Sequence, residues 1–216
     1  VGALQGLSAT FSNVGFVGLP LVILAFGADA ALPAVIIVIV DTVVMMGIAT
    51  ALIEVDLGGH GAARNIVLGL VRNPIIIASL VGLGLNLGSV EIPGPLMSYG
   101  DLLANAAGPC ALFALGATLA GRPLREGAGE TAFLTVMKLG VHPLLVAITA
   151  LYVFDLSPLW ASVAIVQASL PIAANVYVLA QRYEVHAGQV STAILISTAV
   201  SVFTVSIVLA QLYGGG

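Results

Sequence analysis

Apolar residues run in long blocks along this chain, and polar residues collect in the short gaps between them. Seven blocks are long enough to cross a bilayer at about 20 residues each: 5–26, 31–53, 66–88, 101–121, 132–154, 158–181 and 189–213. None alternates apolar with polar positions, as the strands of a membrane barrel would, so each block predicts a helix. The gaps carry turn formers: Gly27-Ala28-Asp29, Gly58-Gly59-His60-Gly61, Pro93-Gly94-Pro95, Gly121-Arg122-Pro123 and Leu156-Ser157-Pro158. None has room for a soluble domain. The expected fold class is an all-α polytopic membrane protein.

Composition agrees with the pattern. Of 216 residues, 60% are hydrophobic and 7% charged, where a soluble domain carries about 25% charged residues. The six basic residues are scattered, so no basic patch points to nucleic acid. Cys110 is the single cysteine, which leaves no internal disulfide and no cysteine-rich metal site. There is no Walker, zinc or Ser-His-Asp pattern, so an enzyme reading has no residues to rest on, and no cofactor is expected. The chain opens at Val1, without Met, at the edge of a hydrophobic block, and reads as a piece whose N-terminal part is absent.

Charge sets the expected orientation. Arg64, Arg122, Arg125 and Arg182 lie in the gaps after the second, fourth and sixth blocks. Arg72 and Lys138 lie in the first turns of the blocks that follow. The other gaps hold Asp29, Glu91, Asp101 and Asp155 and no basic residue. The basic side is cytoplasmic by the positive-inside rule, which places the C-terminus outside a cell (inner or plasma) membrane.

Two blocks carry a paired irregularity. Asn13 lies in Phe11-Ser12-Asn13-Val14-Gly15-Phe16-Val17-Gly18-Leu19-Pro20, and Asn175 in Leu170-Pro171-Ile172-Ala173-Ala174-Asn175-Val176. Hydrocarbon cannot satisfy a side-chain amide, or a backbone freed by proline, so such groups face protein or a water-filled cavity. Pro20 and Pro171 each delete a helical hydrogen bond, and Gly15 and Gly18 permit unwinding. The two blocks run in opposite directions, which suggests an inverted repeat: 66–213 as a complete five-helix unit, 1–53 as the last two helices of its partner, and 54–65 as a short cytoplasmic loop. Paired breaks of this kind point to a transporter with a midplane site. An amide donates to a carboxylate without the desolvation cost of a buried cation, and exposed half-helix N-termini add free N–H groups. The plain alternative is that both asparagines glue helices together.

Other polar residues are candidates of lower rank. Asp41 is the only carboxylate deep in a block, and is either a proton relay or a satisfied structural acid. Lys138 is close enough to the cytoplasmic end to snorkel. His142, one turn on, is either titratable or structural. Asn105 and Gln167 are placed to line a cavity. Ser197, Thr198, Ser201 and Thr204 recur at helical spacing and read as helix packing.

The motifs together resemble a known family. Thr10-Phe11-Ser12-Asn13-Val14-Gly15-Phe16-Val17-Gly18-Leu19-Pro20-Leu21 is similar to the fourth helix of the auxin efflux carrier family. Arg72-Asn73-Pro74 with Gly82 resembles the sixth helix, Phe113-Ala114-Leu115-Gly116 the seventh, and Lys138 to Pro143 the eighth. Ile165-Val166-Gln167-Ala168-Ser169-Leu170-Pro171, Val178-Leu179-Ala180-Gln181-Arg182-Tyr183-Glu184-Val185-His186 and Ser191-Thr192-Ala193 resemble the ninth and tenth. The resemblance implies ten helices in two inverted five-helix repeats, homodimers, and secondary transport of carboxylates such as auxin-like compounds or dicarboxylates. It implies a substrate site where the fourth and ninth helices break and cross, with Asn13 and Asn175 at the binding positions. Two features depart from plant members. Ser12 and Val176 stand where prolines mark the crossing, and the loop around Gly58-Gly59-His60 is short, as in bacterial permeases.

Two other readings compete. A membrane sensor would bind a carboxylate without moving it. A seven-helix light-driven pump needs a lysine deep in the last block, and that block has none. Coupling stays open between potential-driven uniport, protons carried by Asp41 and His142, and sodium.

Overall fold

The computed structural model describes residues 2–56, 74–119 and 127–214. Arg64, Arg72, Asn73, Arg122 and Arg125, on which much of the charge argument rests, lie outside them, as does most of the expected loop 54–65. The helices are α1 (Gly2–Thr10), α2 (Val14–Phe26), α3 (Ala28–Ile53), α4 (Pro74–Leu87), α5 (Gly94–Leu119), α6 (Ala128–Val153), α7 (Pro158–Ala168), α8 (Ala174–Arg182) and α9 (Ala187–Gly214). Among the described residues the only extended pairing is an isolated antiparallel bridge between Ser12 and Ile172.

Among the described residues, three helices are long and apolar enough to cross a membrane by length and composition: Ala28–Ile53, Ala128–Val153 and Ala187–Leu212. Two of the other expected blocks are interrupted. Block 5–26 is split between α1 and α2, and block 158–181 between α7 and α8, so each half is too short to span alone. The fourth block starts earlier than its apolar stretch suggests. Proline suits a first helical turn, and the Pro93 carbonyl accepts the N–H groups of Leu96 and Met97 at 2.9 and 3.0 Å, which draws Pro93-Gly94-Pro95 into the start of α5. Gly27 ends α2 at a positive φ of +85°, which favours glycine, its N–H bonding the Ile23 carbonyl.

The buried side chains gather around the two interruptions. Leu4, Leu7 and Phe11 pack with Ile172, Ala173, Val176, Tyr177 and Ile194 on one side. Val14, Val38, Leu170 and Val205 pack at the crossing itself. Val22, Ala30, Ala34, Val163 and Val166 fill the far side. On α4 and α5, apolar side chains such as Leu80, Leu102 and Phe113 face outward, as suits a hydrocarbon solvent.

Candidate functional site

The two interruptions meet. Residues 11–13 leave helical geometry between α1 and α2, and residues 169–173 do so between α7 and α8. An extended backbone frees amides and carbonyls that must find partners inside the protein. Much of the demand is met across the crossing: Asn13 N–H donates to the Pro171 carbonyl at 2.9 Å, and Ala173 N–H to the Phe11 carbonyl at 3.3 Å. The backbone N–H of Ser12 bonds the Asp41 carboxylate. Ile172 N–H donates to Ser197 Oγ at 3.3 Å, and Lys138 Nζ donates to the Ala168 carbonyl at 2.7 Å. Pro171 belongs here for a simple reason. Without an N–H it needs no partner in the gap, and its carbonyl is the acceptor for Asn13.

Beside the bridge lies a cavity of about 20 Å3, lined by Phe11, Ser12, Asn13, Val14, Gly15 and Phe16 from the first break, Val38 and Thr42 from α3, and Ala173, Ala174 and Asn175 from the second. Both sequence-predicted asparagines therefore face one space. Asn13 is 5% exposed and sits just before a wider π-turn over Val14–Gly18. Asn175 sits in the first turn of α8, where backbone N–H groups are unpaired by the helix and the dipole favours an anion. Ser12 Oγ is buried without a hydrogen-bond partner in a residue that lines the cavity. Buried hydroxyls are ordinarily bonded, and the crossing as it stands supplies this one with no partner.

The remaining candidates divide between the cavity, the crossing and the outer surface. Gly15 lines the cavity. Pro20 lies one residue inside the regular part of α2, on its exposed side, away from the cavity wall. Gln167 is 1% exposed, packs against Gly18 at the crossing, and has no partner for either amide atom. Asn105 is on the outward-facing surface of α5 and is not brought to the cavity. Asp41 is behind the wall, next to Thr42, in a π-turn over Asp41–Met45. His142 Nδ1 lies 3.0 Å from Lys138 Nζ and 3.2 Å from the Ala168 carbonyl.

Lys138 overturns its sequence reading. It does not snorkel: it is 0% exposed and its ammonium turns inward onto the C-terminal end of α7. The freed carbonyl there is a better partner than distant water, because a helix C-terminus attracts a cation. Ser197, at a spacing that suits helix packing, also serves as an acceptor for the second break. Ser12, Thr42 and the Lys138 contact were not recognisable from sequence, because each depends on which helix is adjacent in space.

A chain of apolar helices, three of them among the described residues both long and apolar enough to span a bilayer, with two interrupted helices bonded at their breaks, defines a membrane protein of the broken-helix kind. Residues 2–209 match the family described as "Membrane transport protein", and the chain belongs to that family, the auxin efflux carriers. It is 36% identical over 207 residues to a "Putative malonate transporter" of Rhizobium meliloti, covering 94% of this chain and 65% of that protein. It is 29% identical over 197 residues to an "Uncharacterized transporter" of Methanothermobacter thermautotrophicus, covering 90% and 63%. It is 33% identical over 132 residues to "Auxin efflux carrier component 1" of Arabidopsis thaliana, covering 58% and 21%. The chain thus spans less than two thirds of the length of these relatives. Both family and relatives are transporters rather than enzymes.

Proposed function

We propose that this chain is the greater part of a secondary transporter for small organic anions, with a dicarboxylate such as malonate as the first candidate and auxin-like monocarboxylates as the second. The observation that supports this reading is the shared cavity: Asn13 and Asn175, each at a helix break, line one space together with Ser12, whose buried hydroxyl has no partner. Amide and hydroxyl donors with a half-helix N-terminus match a carboxylate's acceptor oxygens. A volume of about 20 Å3 holds one water-sized group, so admitting a dicarboxylate requires the walls to part, as alternating access demands. Asn13, Asn175 and Gly15 form the substrate wall in this reading. Pro171 fixes it through its carbonyl, Pro20 and Gln167 support the crossing, and Asp41 and His142 are the candidates for proton coupling.

The wider arrangement in this proposal has seven membrane helices, two of them broken, as part of a ten-helix inverted repeat in a plasma-membrane homodimer with its C-terminus outside. The deciding experiment is flux of labelled malonate, malate and indole-3-acetate in proteoliposomes of the full-length protein, with and without an imposed potential. Saturable flux of a carboxylate supports the reading. Saturable binding with no flux replaces it with a membrane sensor.

A further inference from the structure

Lys138, His142 and the Ala168 carbonyl form a triangle at the end of α7. Lys138 Nζ donates to the carbonyl at 2.7 Å and lies 3.0 Å from His142 Nδ1, which is 3.2 Å from the same carbonyl. The lysine sits in a π-turn over Met137–Val141, and such turns are rare and often mark functional positions. Counting protons narrows the arrangement. An ammonium can donate to both neighbours only if Nδ1 is bare, so the neutral ring then carries its proton on Nε2. A second charge on the ring would set two cations 3.0 Å apart, where Lys138 has no exposure to water, and like charges in such a place disfavour each other strongly. The triangle therefore holds one charge, on Nζ or on the ring. Helices α1, α7 and α9 pack against this part of α6 and carry no Asp, Glu, Lys, Arg, His or Cys. The charged group that acts on Lys138 from α3 is Asp41.

We propose that Lys138 and His142 form a one-proton site that links proton movement to the helix crossing. The inference rests on the carboxylate reading above. The step balances: the Nζ–H bond breaks, an Nδ1–H bond forms, and the imidazolium gives its Nε2 proton to water. The ring is partly exposed and the ammonium is not, so the ring is the proton's way in and out. Once the proton has left, the neutral ring carries its hydrogen on Nδ1 and can donate to the Ala168 carbonyl itself. That carbonyl ends α7 and adjoins the second break, so loading the site sets the charge beside the crossing. A positive charge there and an anion in the cavity favour each other, and the two load together. Both are positioning residues, since neither lines the cavity.

The test uses the full-length protein in proteoliposomes with the potential clamped at zero. With acid outside, the wild type is expected to accumulate labelled malonate several-fold above protein-free vesicles, and no such accumulation overturns the proposal. Lys138→Arg keeps a cation for the carbonyl but one that does not release its proton, and His142→Gln removes the outlet. In both, exchange of labelled for unlabelled malonate is expected to persist at a reduced rate while accumulation driven by the pH gradient is lost. Accumulation equal to the wild type in either variant overturns the proposal, and loss of exchange as well in both reduces the triangle to a structural contact. The tautomer gives a readout independent of transport. In 15N NMR of histidine-labelled protein, with His142→Gln to assign the signal among the three histidines, the wild-type ring is expected to be bare at Nδ1. Lys138→Arg should keep that tautomer and Lys138→Met should shift the hydrogen to Nδ1. A wild-type ring protonated on Nδ1, or the same tautomer in Lys138→Met, overturns the one-proton site. If the wild type moves no carboxylate, the transport reading fails while the tautomer still decides whether lysine and histidine share a proton.

Discussion

At the scale of single residues, the freed amides of Ser12, Asn13, Ile172 and Ala173 each find an acceptor inside the protein, and this lets extended backbone persist among apolar helices. Ser197 is the acceptor for Ile172. Ser197→Ala leaves a buried N–H unpaired and is expected to destabilise by about 1–3 kcal/mol, read as a lower melting temperature and faster hydrogen exchange at Ile172. The asparagines predict a different signature. If Asn13 and Asn175 donate to a carboxylate, alanine at either removes a hydrogen bond to a charged group, worth about 1.5–3 kcal/mol. Malonate KM should then rise roughly 10- to 100-fold, with melting shifted by much less than in Ser197→Ala. Unchanged transport in both alanine variants would leave the asparagines as helix glue.

At the scale of elements, the crossing depends on how closely α2 approaches the end of α7. A Cβ added at Gly18 would lie 2.7 Å from Leu170 Cδ1 and 3.5 Å from the Gln167 side chain. Gly18→Ala therefore forces the buried Leu170 side chain to shift in a packed crossing, with an expected cost of about 1–3 kcal/mol. Gly15 is the internal control: it is in the same π-turn, and an added Cβ meets nothing within 4 Å. Gly15→Ala should melt like the wild type or slightly higher, since it restricts the unfolded chain. Equal losses at the two positions would mean that backbone freedom, rather than close approach, is what the turn requires. The same element-level view explains Pro20. In the first turn of regular helix its missing N–H costs nothing, and the wider turn before it absorbs the steric conflict.

At the scale of the whole molecule, the predictions concern the membrane. The charge asymmetry predicts an external C-terminus. In a Cys110→Ser background, Gly214→Cys should react with an impermeant maleimide added outside intact cells, and Arg182→Cys only after permeabilisation. The reverse pattern would invert the topology. Transport energetics offer a second check. An inside-negative potential drives a monovalent anion outward by about 2.3 kcal/mol per 100 mV, roughly a fifty-fold ratio at equilibrium. A uniporter should follow the imposed potential with no pH or sodium gradient. Flux that ignores potential and follows pH would instead place a proton on the path.

The sequence by itself determined that this is a helical membrane protein, because 60% apolar composition and long uninterrupted apolar blocks leave no other backbone arrangement satisfied in lipid. It also determined the family, since the motifs around Asn13 and Pro171 are local strings that survive without coordinates. It located the two irregular positions, because an amide or a proline in hydrocarbon stands out against its neighbours. Tertiary structure alone decided that the two irregularities touch, that Asn13 and Asn175 share a cavity, and that Asn105 does not reach it. It also decided that Lys138 turns inward instead of toward water. The reason is physical. Periodicity reports which groups need a partner, but the partner is set by packing between segments more than 100 residues apart, as Asn13 and Pro171 are, and one sequence carries no record of that distance.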